Sequence, residues 1–198
     1  MKLKIILFVC FIFLFKGYSF NHPHVFIYSS IDAVFDDNGL KGFNIYWKFD
    51  EMFSNMFIYD FDKNENKKLE PEEVSTIKSG GFDNLKKFDF FSHIKINKEK
   101  FKVEYIKNFK AWIEGNNLFY SFFIPCHVKA SVIKKNVSIA IYDKSFYCSV
   151  FLTKNPLYLQ DSEKFEVFFN VKENRKDAYY FGQILPKEIT ISFGLRNE

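Results

Sequence analysis

Cysteine is scarce, at three residues in 198. Cys10 lies in an apolar N-terminal run, and Leu7-Phe8-Val9 before it lacks the small residue that lipid attachment requires, so no lipoprotein is expected. Cys126 and Cys148 fit no zinc-motif spacing. On strands of an exported protein they are either a structural disulfide or two buried free thiols. Histidine numbers only four and forms no rich tract, which speaks against a high-capacity metal buffer. HExxH, GxSxG and phosphate-cradling glycine loops are missing, so nothing recommends a hydrolase and the chain is expected to be non-enzymatic. Beyond the N-terminus no apolar run approaches the roughly 20 residues of a spanning helix, so the mature chain is expected to be soluble.

What is present begins with a leader. Residues 5–15 are eleven apolar residues, preceded by Lys2 and Lys4 and followed by Gly17-Tyr18-Ser19, where small residues occupy the two positions a signal peptidase inspects. This is the layout of a cleavable secretory signal over residues 1–19. The mature chain would then be residues 20–198, enough for one domain with a substantial core. Loss of Lys2, Lys4 and Lys16 lowers 28 basic residues to 25 against 24 acidic ones, so the formal charge falls from +4 to +1. A nearly neutral chain lacks the cationic surplus of a nucleic-acid binder. The 28 Phe and 11 Tyr predict a bulky core.

Residues 25–35 are rich in β-branched and aromatic side chains, Asp36-Asp37-Asn38-Gly39 is a turn, and residues 40–49 return with strand alternation. At Asp50 the period changes. Phe53, Met56 and Phe57 recur at helical spacing, a polar stretch follows from Asp60, and Pro71-Glu72-Glu73 opens a second helix that Gly80-Gly81 ends. Phe82, Leu85 and Phe88 support a further short helical piece. From residue 90 the pattern is β again, with strands expected over 93–97, 101–113, 118–124, 137–142, 146–152, 165–171 and 189–193, and turns at Asn97-Lys98-Glu99 and Asn116-Asn117. The fold class is α+β, mostly β: an antiparallel sandwich- or barrel-like sheet with a helix-loop-helix insertion at about residues 50–90.

The insertion encloses the most specific chemical pattern of the chain. A twelve-residue calcium loop starting at Asp62 places Asp62, Asn64 and Asn66 at positions one, three and five, the Lys68 carbonyl at seven, Leu69 at eight, Glu70 at nine and Glu73 at twelve. A hard cation wants six or seven oxygens around a tight turn, closed by a bidentate carboxylate. Position six, usually glycine because φ is positive there, is Lys67, which costs on the order of 1 kcal/mol. The loop either binds calcium weakly or keeps its shape through its own turn hydrogen bonds.

His22 and His24 flank Pro23. In an extended segment they share a face with Cα atoms roughly 6.5–7 Å apart, and Pro23 biases His22 toward that geometry. Two neutral imidazoles on one face suit zinc, copper, nickel or cobalt. The plain alternative is that the tripeptide starts a first strand, with one ring packed and the other solvated. Asp50, Glu51, His93 or His127 could complete a site at the N-terminus, and each is otherwise an ordinary strand or edge residue.

His22-Pro23-His24-Val25-Phe26-Ile27, Trp47-Lys48-Phe49-Asp50-Glu51, the loop from Asp60 to Asn66, and Ile141-Tyr142-Asp143 with Phe146-Tyr147 together resemble a bacterial family of small periplasmic proteins. That family is usually catalogued as the periplasmic component of an uncharacterised ABC-type transport system. Members tend to travel with an integral-membrane permease of the nickel/cobalt type, and some are implicated in zinc acquisition. The resemblance implies a periplasmic location, a permease partner and a bound transition metal, zinc first and nickel, cobalt or copper next. It carries over His22, His24, Asp50 and Glu51 as metal candidates, and Asp62, Asn64, Asn66 and Glu73 in the loop. The competing expectation is a calcium-stabilised periplasmic protein-interaction module in which the histidines are incidental.

Overall fold

The computed structural model describes residues 23–196. The expected signal and His22 lie outside the described residues. Among the described residues, ten strands form two five-stranded sheets. The first strand, β1 (Val25–Asp36), turns through Asp37 and Asn38 into β2 (Gly39–Phe49). The turn is tight because Asn38 N–H donates to Asp36 Oδ1 at 2.8 Å and Gly39 takes φ of 141°. Next come α1 (Glu51–Phe61), α2 (Pro71–Gly80) and a 3-10 segment (Phe82–Phe91). The chain continues through β3 (Ser92–Ile96), β4 (Glu99–Phe101), β5 (Lys107–Glu114), β6 (Asn117–Lys129), β7 (Lys135–Ile141), β8 (Cys148–Gln160), β9 (Phe165–Glu173) and β10 (Lys187–Leu195). One sheet runs β5-β6-β2-β1-β8, the other β4-β3-β7-β10-β9.

The sheets pack face to face over one core rather than closing into a barrel. Phe35 of β1 meets Phe165 and Phe193 of the opposite sheet, both at 5.3 Å between ring centroids. Alternation along β1 buries Val25, Ile27, Ile31, Ala33 and Phe35, and β10 answers with Ile189, Ile191 and Phe193. Among the described residues every strand pairing is antiparallel except β1 with β8, which is parallel.

Two expected strands change shape for identifiable reasons. The run over 101–113 divides, because the chain leaves one sheet at Phe101, buries Val103 on the way, and enters the other at Lys107. The run over 146–152 begins at Cys148 and continues to Gln160 past Pro156. Pro156 is tolerated because β8 is an edge strand, and residues 153–156 fall at the break in its pairing with β1, between Leu152 and Leu157. The turn at Asn97-Lys98 has φ of 51° and 74°, the geometry of a two-residue hairpin loop. Cys126 and Cys148 are both free thiols, and burial pushes each up to about 12.

Asp50 and Ser54 fasten the helical insertion to the sandwich. Asp50 Oδ1 accepts from Phe53 N–H and caps α1, while Oδ2 accepts from Phe26 N–H of β1, both at 2.9 Å. Ser54, fully buried, donates from Oγ to the Asp50 carbonyl at 2.6 Å and accepts from Leu118 N–H of β6 at 2.9 Å. Pro71 begins α2 at a position where its missing N–H costs nothing.

Gly42 and Gly80 make opposite predictions. A Cβ on Gly42 would lie 2.2 Å from the Ile124 carbonyl oxygen across the β2–β6 pairing, whereas one on Gly80 would meet nothing within 4 Å. Gly42→Ala is expected to lose roughly 1–3 kcal/mol as overpacking, and Gly80→Ala to be neutral or stabilising by up to about 1 kcal/mol. Urea denaturation of the two variants checks the contrast.

Candidate functional site

Three segments far apart in sequence meet at one end of the sandwich. His24 N–H and Val25 N–H both donate to the Tyr147 carbonyl, at 2.9 and 3.3 Å, and the His24 ring lies 4.9 Å from the Tyr147 ring. Phe26 exchanges two bonds with Asp50: its carbonyl accepts from Asp50 N–H at 2.9 Å, and its N–H donates to the carboxylate. The start of β1, the start of α1 and the turn before β8 are thereby held together by backbone bonds.

His24 is exposed at this junction. Asp50 is half-buried, and each of its oxygens accepts one backbone N–H, which leaves further lone pairs unused. Glu51 is exposed on the first turn of α1 and accepts from Asn116 Nδ2 at 3.4 Å. Among the described residues, no three of His, Cys, Asp and Glu are gathered in ligating geometry. His93 and His127 are placed elsewhere. His93 Nε2 donates to the Tyr142 carbonyl at 3.0 Å on the opposite sheet, and His127 lies beside the β1–β2 turn.

Sequence reading did not single out Asp143 as a site residue. It is only 5% exposed, and its carboxylate accepts from Ser145 N–H (2.9 Å), Ser145 Oγ (2.7 Å) and Cys148 N–H (3.1 Å). The signal available was Asp143-Lys144-Ser145, a spacing at which an aspartate closes a turn on its own backbone.

Behind the junction, between the insertion and the sandwich, lies an apolar cavity of about 730 Å³. Phe53 and Phe57 lie side by side along the inner side of α1, their ring centroids 5.5 Å apart, and Trp47, Ile77, Phe82 and Tyr120 complete much of the wall. Asp143, Ser145, Tyr147 and Cys148 also line it, so the cavity reaches the turn that anchors His24. The phenylalanine surplus therefore builds a hollow as well as a core.

The Asp62 loop has the expected shape. Lys67 stands at φ 61°, the left-handed conformation expected of position six, and Glu65 at 56°. Asp62 accepts from Asn66 N–H (3.1 Å) and Lys67 N–H (2.8 Å), Asn64 Oδ1 from Asn66 N–H (3.1 Å), and Asn66 Oδ1 from Lys68 N–H (2.8 Å). Glu73 closes the loop by accepting from Lys63 N–H (2.9 Å) and Glu70 N–H (3.0 Å). The Asn66 amide donates to Glu70 at 2.7 Å and holds that carboxyl below its ordinary range, with Glu73 adding to the effect.

Two predictions follow from these contacts. Asp50→Ala removes the α1 cap and leaves Phe26 N–H without its acceptor, so about 2 kcal/mol of stability is expected to go. Asp50→Asn, which still caps, should lose less in the same chemical denaturation. Burial lowers the pKa of His93 against a smaller opposing effect of the Tyr142 carbonyl, with Lys144, Asp89 and Lys100 the nearby charges. The folded state therefore takes up the proton less readily than the unfolded chain. Stability is full above the unfolded value near 6.5 and falls as pH drops below it; His93→Gln should flatten denaturation midpoints measured between pH 7.5 and 5.5.

Comparison with known proteins places these features in a family. An uncharacterized 15.5 kDa protein of Spirochaeta aurantia is 28% identical over 130 residues, 65% of this chain and 92% of the relative. An uncharacterized protein of Haemophilus influenzae is 28% identical over 129 residues, and the match spans only 62% of that protein's length. Residues 7–179, which contain both the His24–Asp50–Tyr147 junction and the cavity, match the family described as protein of unknown function DUF1007, and the chain belongs to it.

Proposed function

We propose that this protein is a non-enzymatic periplasmic accessory that binds a transition metal and exchanges it with an integral-membrane permease. The observation that carries the reading is the anchoring of His24 by the Tyr147 carbonyl next to the Asp50–Phe26 clasp. An imidazole is thereby presented at a rigid junction instead of on a loose tail. His22 and His24 would supply two neutral nitrogens, and Asp50 or Glu51 an oxygen, a donor set suited first to zinc and next to nickel, cobalt or copper. Few fixed ligands at an exposed position favour exchange over storage. Affinity would fall as the imidazoles protonate below roughly pH 6.5. Among the described residues no helix is long and apolar enough to cross a membrane.

The second reading is a calcium-stabilised module that binds a protein partner. It rests on the Asp62 loop with its left-handed Lys67, and on Met52, Met56 and Tyr59, exposed at helical spacing on α1.

Calorimetric titration of the metal-free mature protein separates the two. The first reading expects zinc binding that disappears in His22→Ala/His24→Ala while the fold is retained; unchanged affinity in that variant overturns it. The second expects calcium alone to raise the melting temperature, and Glu73→Gln to abolish the rise.

A further inference from the structure

The apolar cavity has a second chamber beside it. A smaller notch of about 160 Å³ is lined by Lys87, Lys100, Lys144, Asp89 and His93, and it shares the walls Phe88 and Phe91 with the larger cavity. Asp143 and Ser145 line the cavity while Lys144, between them, lines the notch, so one turn borders both.

The charges in the notch are unequal. Lys100 pairs with Asp89 at 3.2 Å. Among the described residues neither Lys87 nor Lys144 forms an ion pair, and the Lys87 ammonium lies 5.2 Å from the centre of the Phe88 ring, which lines both chambers. Asp143 is the nearby countercharge on the cavity side, but its carboxylate is turned into its own loop, held by Ser145 and Cys148. Burial disfavours a charge on His93.

The segment that follows Phe88 and carries Phe91 is held against backbone preference. Asp89, Phe90 and Phe91 stand in succession at φ of 54°, 50° and 55°, a region bulky side chains rarely enter. They are fixed by Val103 N–H to Asp89 Oδ1 (3.3 Å), Ser92 Oγ to the Phe90 carbonyl (3.0 Å) and Tyr142 N–H to the Phe91 carbonyl (2.9 Å). Strain of this kind persists where its surroundings over-determine it and concentrates at binding sites.

We propose that the cavity and the notch form one binding site for a free long-chain fatty acid, the chain lying among the rings and the carboxylate at Lys87 and Lys144. The volume falls within the roughly 300–1,000 Å³ of small-molecule pockets. A peptide strand would bury N–H and C=O groups that the ring-lined wall cannot pair, at a cost in each. An acyl chain carries no polar group along its length, and its terminal carboxylate meets unpaired cations. The site stands independently of the metal reading and uses neither His22 nor His24.

Trp47, which lines the cavity and whose buried indole N–H has no acceptor among the described residues, supplies the readout. In a delipidated Trp112→Phe protein it is the sole tryptophan. Titration with palmitate and octanoate below their micelle concentrations should give saturable quenching or blue shift, with palmitate the tighter ligand. Lys87→Glu/Lys144→Glu, which alters only lysines outside the core, should weaken palmitate by about tenfold or more. The same variant should leave hexadecanol unaffected. No saturable signal with palmitate overturns the site. Equal affinity for palmitate in the parent and the lysine variant overturns the carboxylate position. A signal with phosphatidylglycerol vesicles but not with monomeric palmitate overturns the free acid as occupant.

Discussion

The Asp50 carboxylate is the joint on which the rest of this architecture hangs. One oxygen starts α1 and the other holds the backbone of β1, so one short side chain ties the start of the helical insertion to the first strand. Ser54, one turn later, repeats the arrangement toward β6. These bonds act together with the packing of Phe53, Phe57 and Phe61 on the core, while the outward face of α1 carries exposed Met52, Met56 and Tyr59. With them, Phe53 and Phe57 face the sandwich and roof a cavity that neither sheet could enclose.

The same joint links both proposals. The Asp50–Phe26 bonds position β1 so that His24 and Val25 can donate to Tyr147, and Tyr147 belongs to the turn that borders the cavity. Metal exchange would use the outer side of this turn and fatty-acid binding the inner side. Asp143 ties the two sides together, because its buried carboxylate sets the backbone on which Lys144, Ser145 and Tyr147 are carried.

Asp50 also shows how a residue read for chemistry can be occupied with structure. Its place after a strand and before a helix marks a cap, and it caps; its bond to Phe26, 24 residues earlier, has no local signature. Lys67 is the converse case. Its misfit at position six was visible from the pattern, and the backbone adopts the left-handed turn nonetheless, because Asp62 accepts the Lys67 N–H in return. Side-chain oxygens of Asp62, Asn64, Asn66 and Glu73 accept loop N–H groups, which is why the loop shape persists in a chain without the usual glycine.

The sequence by itself determined the strands, the helix-loop-helix insertion and most turns, because side-chain alternation, capping residues and turn chemistry act over a few neighbours. It also set the α+β class and offered Asp50 and Glu51 as neighbours of the N-terminal segment, but not the turn that carries Tyr147. Only the tertiary structure decided that β1 and β8 run parallel, that residues 102–106 cross between sheets, and that the phenylalanines surround a cavity beside unpaired lysines. Those outcomes depend on sheet order and on contacts such as Phe26 with Asp50 and His24 with Tyr147, which span 24 and more than 100 residues. No local period records which distant face a side chain will meet.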